Sequence, residues 1–238
     1  MRTDRWFTWS NPEGRILETW QPALGPQAIG TADDGTVYVA GGGKLAHLDR
    51  SGKVLHRHTI SGGLFRRPSS PSITVTAKDV FVVLRSGMGF DVYRLDHDLK
   101  SSRKILSGLR GCCGQLDITS DGKVLYVAEN TRHQVGRYSR DGKLLSRGGT
   151  ADRTEASGFG GCCNPMNIRV GPGGALYTTE TGPDRVKRYS PDGTFLGVVA
   201  NLSIGKSCIS VPAAANRDGG RVYVGDSQNK VVHVLVKE

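Results

Sequence analysis

The stretch Gly111–Glu129, GCCGQLDITSDGKVLYVAE, decides the fold, because it returns as GCCNPMNIRVGPGGALYTTE at Gly161–Glu180. A weaker copy, SCISVPAAANRDGGRVYVGD, runs from Ser207 to Asp226. Three copies of one unit, each with cysteine at the same point, indicate that the chain is built by repetition. They also predict that the cysteines converge in space.

The period of the repeat is set by an aromatic residue in each LYVAE-type strand. Outward from the first stretch, these aromatic residues are Tyr38, Phe81, Tyr126, Tyr177 and Tyr223, with steps of 43, 45, 51 and 46 residues. Such a period is typical of four-stranded propeller blades, and stacked helix pairs are excluded because no segment shows a sustained helical periodicity. The sequence therefore predicts an all-β fold, a β-propeller of four-stranded blades. Five repeat units are visible, and both five and six blades stay open.

The repeat also predicts how the chain is divided. We expect a single domain over residues 1–238, with closing strands at 1–20 and repeat units at 21–63, 64–107, 108–157, 158–202 and 203–238. Asp-Gly pairs, as in SDGK and SRDGK, favour the two-residue hairpins that join the strands. The first and last strands are expected to close the ring and so remove free sheet edges. The Gly, Ser, Pro and Arg-rich stretch SGGLFRRPSS, 61–70, is predicted to be an exposed loop.

Composition limits the class of protein. The chain has 32 Lys and Arg against 22 Asp and Glu, a formal charge of +10, so its surface potential favours anionic partners. The basic residues are scattered, which is typical of an ordinary solvated surface. No segment approaches the roughly 20 apolar residues that cross a bilayer, and the start of the chain lacks the apolar core of a signal peptide. We therefore expect a monomer without a membrane span.

The units resemble those of a known family. An LYVAE-type strand, an Asn-containing loop and then QVGRYSRDGKLL or RVKRYSPDGTFL resemble NHL repeats, and the GCCGQLDI and GFGGCCNPMN blocks are similar to those of a bacterial NHL-propeller family. The resemblance covers nearly the whole chain and is strongest from Gly108 onward. NHL propellers usually have six blades, so a chain of five units resembles a shortened example. The resemblance implies a scaffold rather than a reaction, and an extracytoplasmic setting, although this chain carries no leader.

The cysteines hold equivalent positions at the start of successive innermost strands. They are Cys112, Cys113, Cys162, Cys163 and Cys208. Thiolate and imidazole ligands favour Zn or Cu, so these thiols are a candidate metal site. Two alternatives stay open. The thiols pack as small hydrophobic groups between blades, or they pair as disulfides, although an odd count leaves one over and adjacent cysteines form only a strained bridge.

Polar residues end the second strand of each unit and should lie on the same face as the cysteines. The candidate ligand-binding residues are Glu129, Asn130, His133, Glu180 and Asp226. A purely structural role is also open for the acids, because carboxylates at strand ends commonly accept hydrogen bonds from the backbone N–H groups of the following turn.

Three functions follow from these residues. The first is a binding scaffold that presents the Cys and acidic face, near the central channel, to a protein or small-molecule ligand, with Zn or Cu as the metal. The alternative is a metal-dependent lyase or lactonase-like enzyme, in which the acids and His133 hold a metal that activates water. RNA binding ranks third, since a stacking platform needs several aromatic residues and only Phe159 lies near the basic loop residues, which are Arg110, Arg132, Arg153 and Arg185. Nucleic acid is therefore not the expected partner. The catalytic motifs HExxH, GxSxG and the Walker loop are absent, so a non-enzymatic role is favoured.

Overall fold

A computed structural model describes residues 7–22, 24–60, 71–205 and 208–236. The stretch 61–70, expected to be a loop, and Ser207 of the third copy lie outside these residues. The fold is all-β, a β-propeller, which confirms the fold class. The chain divides into two compact units, Met1–Ile105 and Leu106–Glu238. None of the helical segments in the described part of the chain is long and apolar enough to cross a membrane.

The first unit contains a hairpin and two four-stranded antiparallel sheets. Its strands are β1 (Phe7–Ser10), β2 (Ile16–Trp20), β3 (Ala28–Thr31), β4 (Val37–Gly41), β5 (Lys44–Leu48), β6 (Val54–Thr59), β7 (Ser72–Val75), β8 (Val80–Ser86), β9 (Gly89–Leu95) and β10 (Ser102–Leu109). The two larger sheets share an apolar core in which Tyr38 and Leu45 pack against Ile73 and Val82. Strand β4 is buried on both faces, since Val37 and Val39 belong to a second apolar cluster.

The second unit carries all five cysteines and contains three antiparallel sheets. Its strands are β11 (Asp117–Ser120), β12 (Val124–Glu129), β13 (Gln134–Ser139), β14 (Leu144–Gly148), β15 (Asn167–Val170), β16 (Leu176–Thr179), β17 (Arg185–Tyr189), β18 (Phe195–Asn201), β19 (Ala213–Ala215), β20 (Arg221–Asp226) and β21 (Val231–Val236). Two short 3-10 turns, Asn130–Arg132 and Pro172–Gly174, interrupt this β structure.

Each sheet takes its strands from one of the expected repeat units, except that β10 ends at Leu109, two residues beyond its unit. The strands therefore form five blade sheets. The last of these, β19–β21, has three strands within the described residues, and β1 and β2 pair with each other. Closure of the ring by the chain ends, and a single domain, stay predictions.

Buried polar side chains connect the first strands of the three sheets in the second unit. Strand β15 packs beside both β11 and β19. Asp117 of β11 accepts the backbone N–H of Ile168 at 2.8 Å, and Asn167 of β15 accepts the backbone N–H of Val211, just before β19, at 2.7 Å. Because buried N–H groups need partners, these bonds fix the spacing of neighbouring strands. The loops that lead into the strands are thereby held side by side.

Candidate metal centre

The five cysteines lie in the three loops that precede β11, β15 and β19. The Sγ atoms of Cys112, Cys113, Cys163 and Cys208 all lie within 4.8 Å of one another. The fifth sulfur, that of Cys162, lies 3.3 Å from Cys163 Sγ and 3.4 Å from Cys208 Sγ. We call these five side chains the thiol cluster.

Backbone conformation explains how two adjacent cysteines serve one site. Neighbouring residues of an extended strand point to opposite faces, so two adjacent cysteines in a strand would not share a metal ion. The pair Cys112 and Cys113 lies in a turn instead, and Cys113 has a φ of 53°. This left-handed conformation, which Cys208 shares with a φ of 64°, is uncommon for residues other than glycine and costs about 1–2 kcal/mol. It leaves the sulfurs of Cys112 and Cys113 3.5 Å apart.

Polar residues at the ends of the second strands hold the cysteine loops in place. Asn130 Oδ1 accepts the backbone N–H of Cys112 at 2.7 Å, and Thr181 Oγ1 accepts the backbone N–H of Cys208 at 3.2 Å. Asn164, next to Cys163, accepts the backbone N–H of Thr181 at 3.0 Å. The role of Thr181 was missed at the sequence level. Its position in the repeat could have revealed it, because Thr181 follows Glu180 just as Asn130 follows Glu129.

The two strand-end glutamates are committed to protein groups. Glu129 is fully buried; its Oε2 lies 3.0 Å from Arg132 Nη1, and its Oε1 accepts the Tyr138 hydroxyl at 3.2 Å. Glu180, equally buried, lies 2.7 Å from Arg185 Nε and accepts the backbone N–H of Gly160 at 2.9 Å.

Lys187 completes the surroundings of Glu180. Its ammonium group is fully buried, lies 3.1 Å from a Glu180 oxygen and sits 4.6 Å from the centre of the Phe159 ring. Burial lowers the pKa of Lys187, and the charge of Glu180 opposes this shift.

Asp226 accepts hydrogen bonds from the turn that follows it, and His133 lies at the end of a 3-10 turn. Asp226 accepts the backbone N–H groups of Asn229 and Gln228, and hydrogen bonding, first that from the Asn229 backbone, lowers its pKa. His133 follows the 3-10 turn with a φ of 53°, and its Nδ1 is buried without a partner among the described residues. Within the described part of the chain, the thiol cluster includes no carboxylate and no imidazole. Glu129, Glu180, Asp226 and His133 are therefore not members of the thiol cluster, whereas Asn130 contacts it through the backbone of Cys112.

The electrostatics of the cluster differ from one thiol to another. Burial raises the pKa of Cys113 to about 12 and also raises that of Cys163. Burial acts in the same direction on Cys208, but hydrogen bonds from the neighbouring thiols outweigh it and lower the Cys208 pKa. A metal ion that binds here must displace protons, so its affinity depends on pH.

The geometry suits a tetrahedral soft metal. Four sulfurs at about 2.3 Å from one ion are about 3.8 Å apart. The measured separations of 3.5 Å between Cys112 and Cys113 and 3.7 Å between Cys163 and Cys208 lie close to that value. The other separations among the four sulfurs are at most 4.8 Å.

Phe159, the aromatic residue nearest the basic loop residues, is only 2% exposed and packs within an apolar core cluster. A base needs an open ring face to stack on, and Phe159 does not offer one. Arg132 and Arg185 are paired with the two glutamates. RNA binding therefore stays the third-ranked hypothesis.

Comparison with known proteins supports the fold. No protein-family model matches the chain, and no curated protein is similar to it in sequence. A gluconolactonase from Xanthomonas campestris is 15% identical, with a TM-score of 0.63 over 94% of this chain and 77% of that chain. The PQQ-bound aldose sugar dehydrogenase from Streptomyces coelicolor is 14% identical, with a TM-score of 0.63 over 90% and 78%. A chain of a nidogen/laminin complex is 15% identical, with a TM-score of 0.64 over 97% and 85%. At these identities the likeness shows the fold alone.

Proposed function

We propose that this protein is an NHL-type propeller scaffold that binds a protein or small-molecule ligand and carries a soft-metal ion, Zn²⁺ or Cu⁺, in its thiol cluster. The observation that carries the metal site is the approach of four sulfurs, from three separate loops, to within 4.8 Å of one another. Soft thiolate ligands select these ions over Mg²⁺ or Ca²⁺. The NHL assignment rests on the repeat motifs together with the propeller fold.

Core packing does not account for these cysteines. A cysteine that acts as a small hydrophobic group is among the most buried residues of a protein. Here only Cys163, at 5% exposure, belongs to the buried set, whereas Cys113 and Cys162 are exposed. Exposed thiols gathered around one point are better explained by a ligand.

A structural or binding role suits the site better than catalysis. A metal held by four protein ligands has no open position for water or substrate, whereas catalytic zinc keeps one. The enzyme alternative needs acids or His133 as ligands, and the carboxylates of Glu129 and Glu180 are already held by cationic side chains. The ion would instead tie together the loops before β11, β15 and β19.

Elemental analysis of the purified protein tests the proposal. Protein expressed with both zinc and copper in the medium should contain one ion per chain, and Cys113→Ser, Cys163→Ser and Cys208→Ser should each abolish that stoichiometry. Circular dichroism should show that the variants retain the β fold. A wild-type protein that is folded, fully reduced and metal-free after reconstitution would overturn the metal site. Hydrolysis of gluconolactone that requires added metal and survives the three cysteine substitutions would favour the enzyme alternative.

A further inference from the structure

Cys162 is the one sulfur of the thiol cluster that a four-coordinate metal does not need. The other four sulfurs all lie within 4.8 Å of one another, and Cys162 does not belong to this group. Its side chain is exposed, and its sulfur is 3.4 Å from that of Cys208. A metal ligand therefore has a solvent-accessible thiol in van der Waals contact with it.

The contacts within the cluster single out one pair for disulfide formation. The adjacent pairs Cys112–Cys113 and Cys162–Cys163 are close, but a bridge between neighbouring residues is strained. Several pairs from different loops remain. Cys112 and Cys113 lie within 4.8 Å of Cys163 and Cys208, Cys163 lies 3.7 Å from Cys208, and Cys162 lies 3.4 Å from Cys208. In the metal-loaded site Cys112, Cys113 and Cys163 are ligands, whereas Cys162 is exposed and is not needed by the ion, so a dissolved oxidant reaches the Cys162 thiol first and Cys208 is its neighbour from another loop.

We propose that Cys162 and Cys208 form a reversible disulfide that removes one ligand from the metal centre and releases the ion. This regulation rests on the proposed metal site. The oxidant is a small disulfide such as oxidised glutathione. The Cys162 thiolate attacks it, which forms a mixed disulfide and releases one small thiol.

The Cys208 sulfur then attacks the Cys162 sulfur. The bond between Cys208 and the metal breaks as the protein disulfide forms, and the second small thiol leaves. The protein loses two electrons and the proton of Cys162; the second small thiolate takes its proton from solvent, so the small disulfide is reduced to two thiols. Three thiolates remain for the metal, which are Cys112, Cys113 and Cys163. An excess of a reducing thiol reverses both exchanges and restores the fourth ligand.

The test uses metal-loaded protein treated with oxidised glutathione in the presence of a chromogenic chelator. Wild-type protein should release its ion as the disulfide forms, and peptide mapping should find the Cys162–Cys208 bond. Cys162→Ser should bind the same amount of metal as the wild type but release it at least about tenfold more slowly, because the first thiol of the exchange is gone. Dithiothreitol should restore metal binding to the oxidised wild type.

Two outcomes would overturn the switch. In one, Cys162→Ser releases metal as fast as the wild type. In the other, mapping finds the bond between other cysteines. Failure of the metal site is distinguishable, because the same mapping on reduced, metal-free protein still shows whether Cys162 and Cys208 pair. If the protein takes up no metal but still forms this bond, the metal centre is contradicted and the pairing of Cys162 with Cys208 is supported. A metal-loaded protein that does not form it contradicts the switch alone.

Discussion

The two strong copies of the GCC motif differ in how they present their cysteines. In the first copy, Cys112 is partly buried and Cys113 is exposed; in the second, Cys162 is exposed and Cys163 is buried. The first copy supplies two of the four close sulfurs, whereas the second supplies Cys163 and leaves Cys162 beside them. A duplicated motif has thus acquired two different geometries.

The residue after each cysteine pair accounts for much of this difference. Gly114 follows the first pair, and it continues the left-handed turn begun by Cys113 with a φ of 75°. Asn164 follows the second pair, and its side-chain amide donates to the carbonyls of Gly160 and Thr181. These bonds fasten the second loop to the blade and accompany the burial of Cys163. The two loops therefore differ in what holds them, at the residue that directly follows each cysteine pair.

The largest expected effect comes from removing the first cysteine of the first copy, with the first cysteine of the second copy as the control. Cys112→Ser should weaken metal binding by more than about 100-fold, the upper end for an outer-shell change, because it removes a ligand. At metal concentrations near 1,000 times the wild-type Kd, a 100-fold weaker affinity lowers the unfolding free energy by about 2.7 kcal/mol. The matched variant Cys162→Ser should leave both quantities unchanged. Competition with a chromophoric chelator and urea unfolding measure them, and equal losses in the two variants would contradict the four-ligand assignment.

A second contrast concerns the strand-end glutamates. The site that holds Gly136 in the first copy holds Lys187 in the second. A Cβ at Gly136 would approach the Tyr138 ring to 2.5 Å, so Tyr138 rather than a lysine reaches Glu129 there. In the second copy, Glu180 neutralises an ammonium group with no exposed surface.

Glu180→Gln should therefore destabilise the protein by about 3–5 kcal/mol, because it leaves a buried charge unpaired. Glu129→Gln should cost about 1 kcal/mol, because the partner Arg132 is 43% exposed and stays hydrated. Urea unfolding compares the two variants. Adding Lys187→Met to Glu180→Gln should recover part of the loss, and no recovery would rule out the buried charge as its cause.

A smaller effect is expected from the residues that hold the cysteine loops. Asn130→Ala and Thr181→Val each remove an acceptor for a cysteine N–H while they leave every sulfur in place. Metal affinity should fall by about 10- to 100-fold, as is usual when a ligand loses its supporting hydrogen bond. Thr181→Ser keeps the hydroxyl and should retain wild-type affinity in the same chelator competition. A serine variant as weak as the valine variant would show that Thr181 acts through packing.

The smallest effect is a dependence of stability on pH that the second copy has and the first lacks. The pKa of Lys187 is lower in the folded protein than in the unfolded chain, so between these two values the unfolded chain binds more protons. Stability from this group should rise as the pH rises toward the ordinary lysine pKa of about 10.4. The measurement is the unfolding free energy of the wild type and of Lys187→Met between pH 8 and 10. The difference between the two proteins should change with pH over this range. Parallel curves would contradict it.

Several of these features could be predicted from the sequence. The repeat period and the Asp-Gly turns predicted the blades, because turn chemistry and strand length are local properties. Alignment of Cys113, Cys163 and Cys208 at one point of the unit predicted their convergence. The same reasoning placed Glu129 and Glu180 among candidate ligands, since a sequence does not show which cation a carboxylate will meet.

The repeat pattern is enough to specify the class of fold and the equivalence of the cysteine positions, because periodic apolar strands can bury their faces in few ways. Three-dimensional packing is needed to know which thiols lie together, which thiol is exposed, and that arginine and lysine hold the glutamates. Those outcomes depend on the left-handed turn at Cys113 and on contacts between residues about 50 positions apart, as with Asp117 and Ile168. Distances of this kind are set by packing between sheets, which no local pattern encodes.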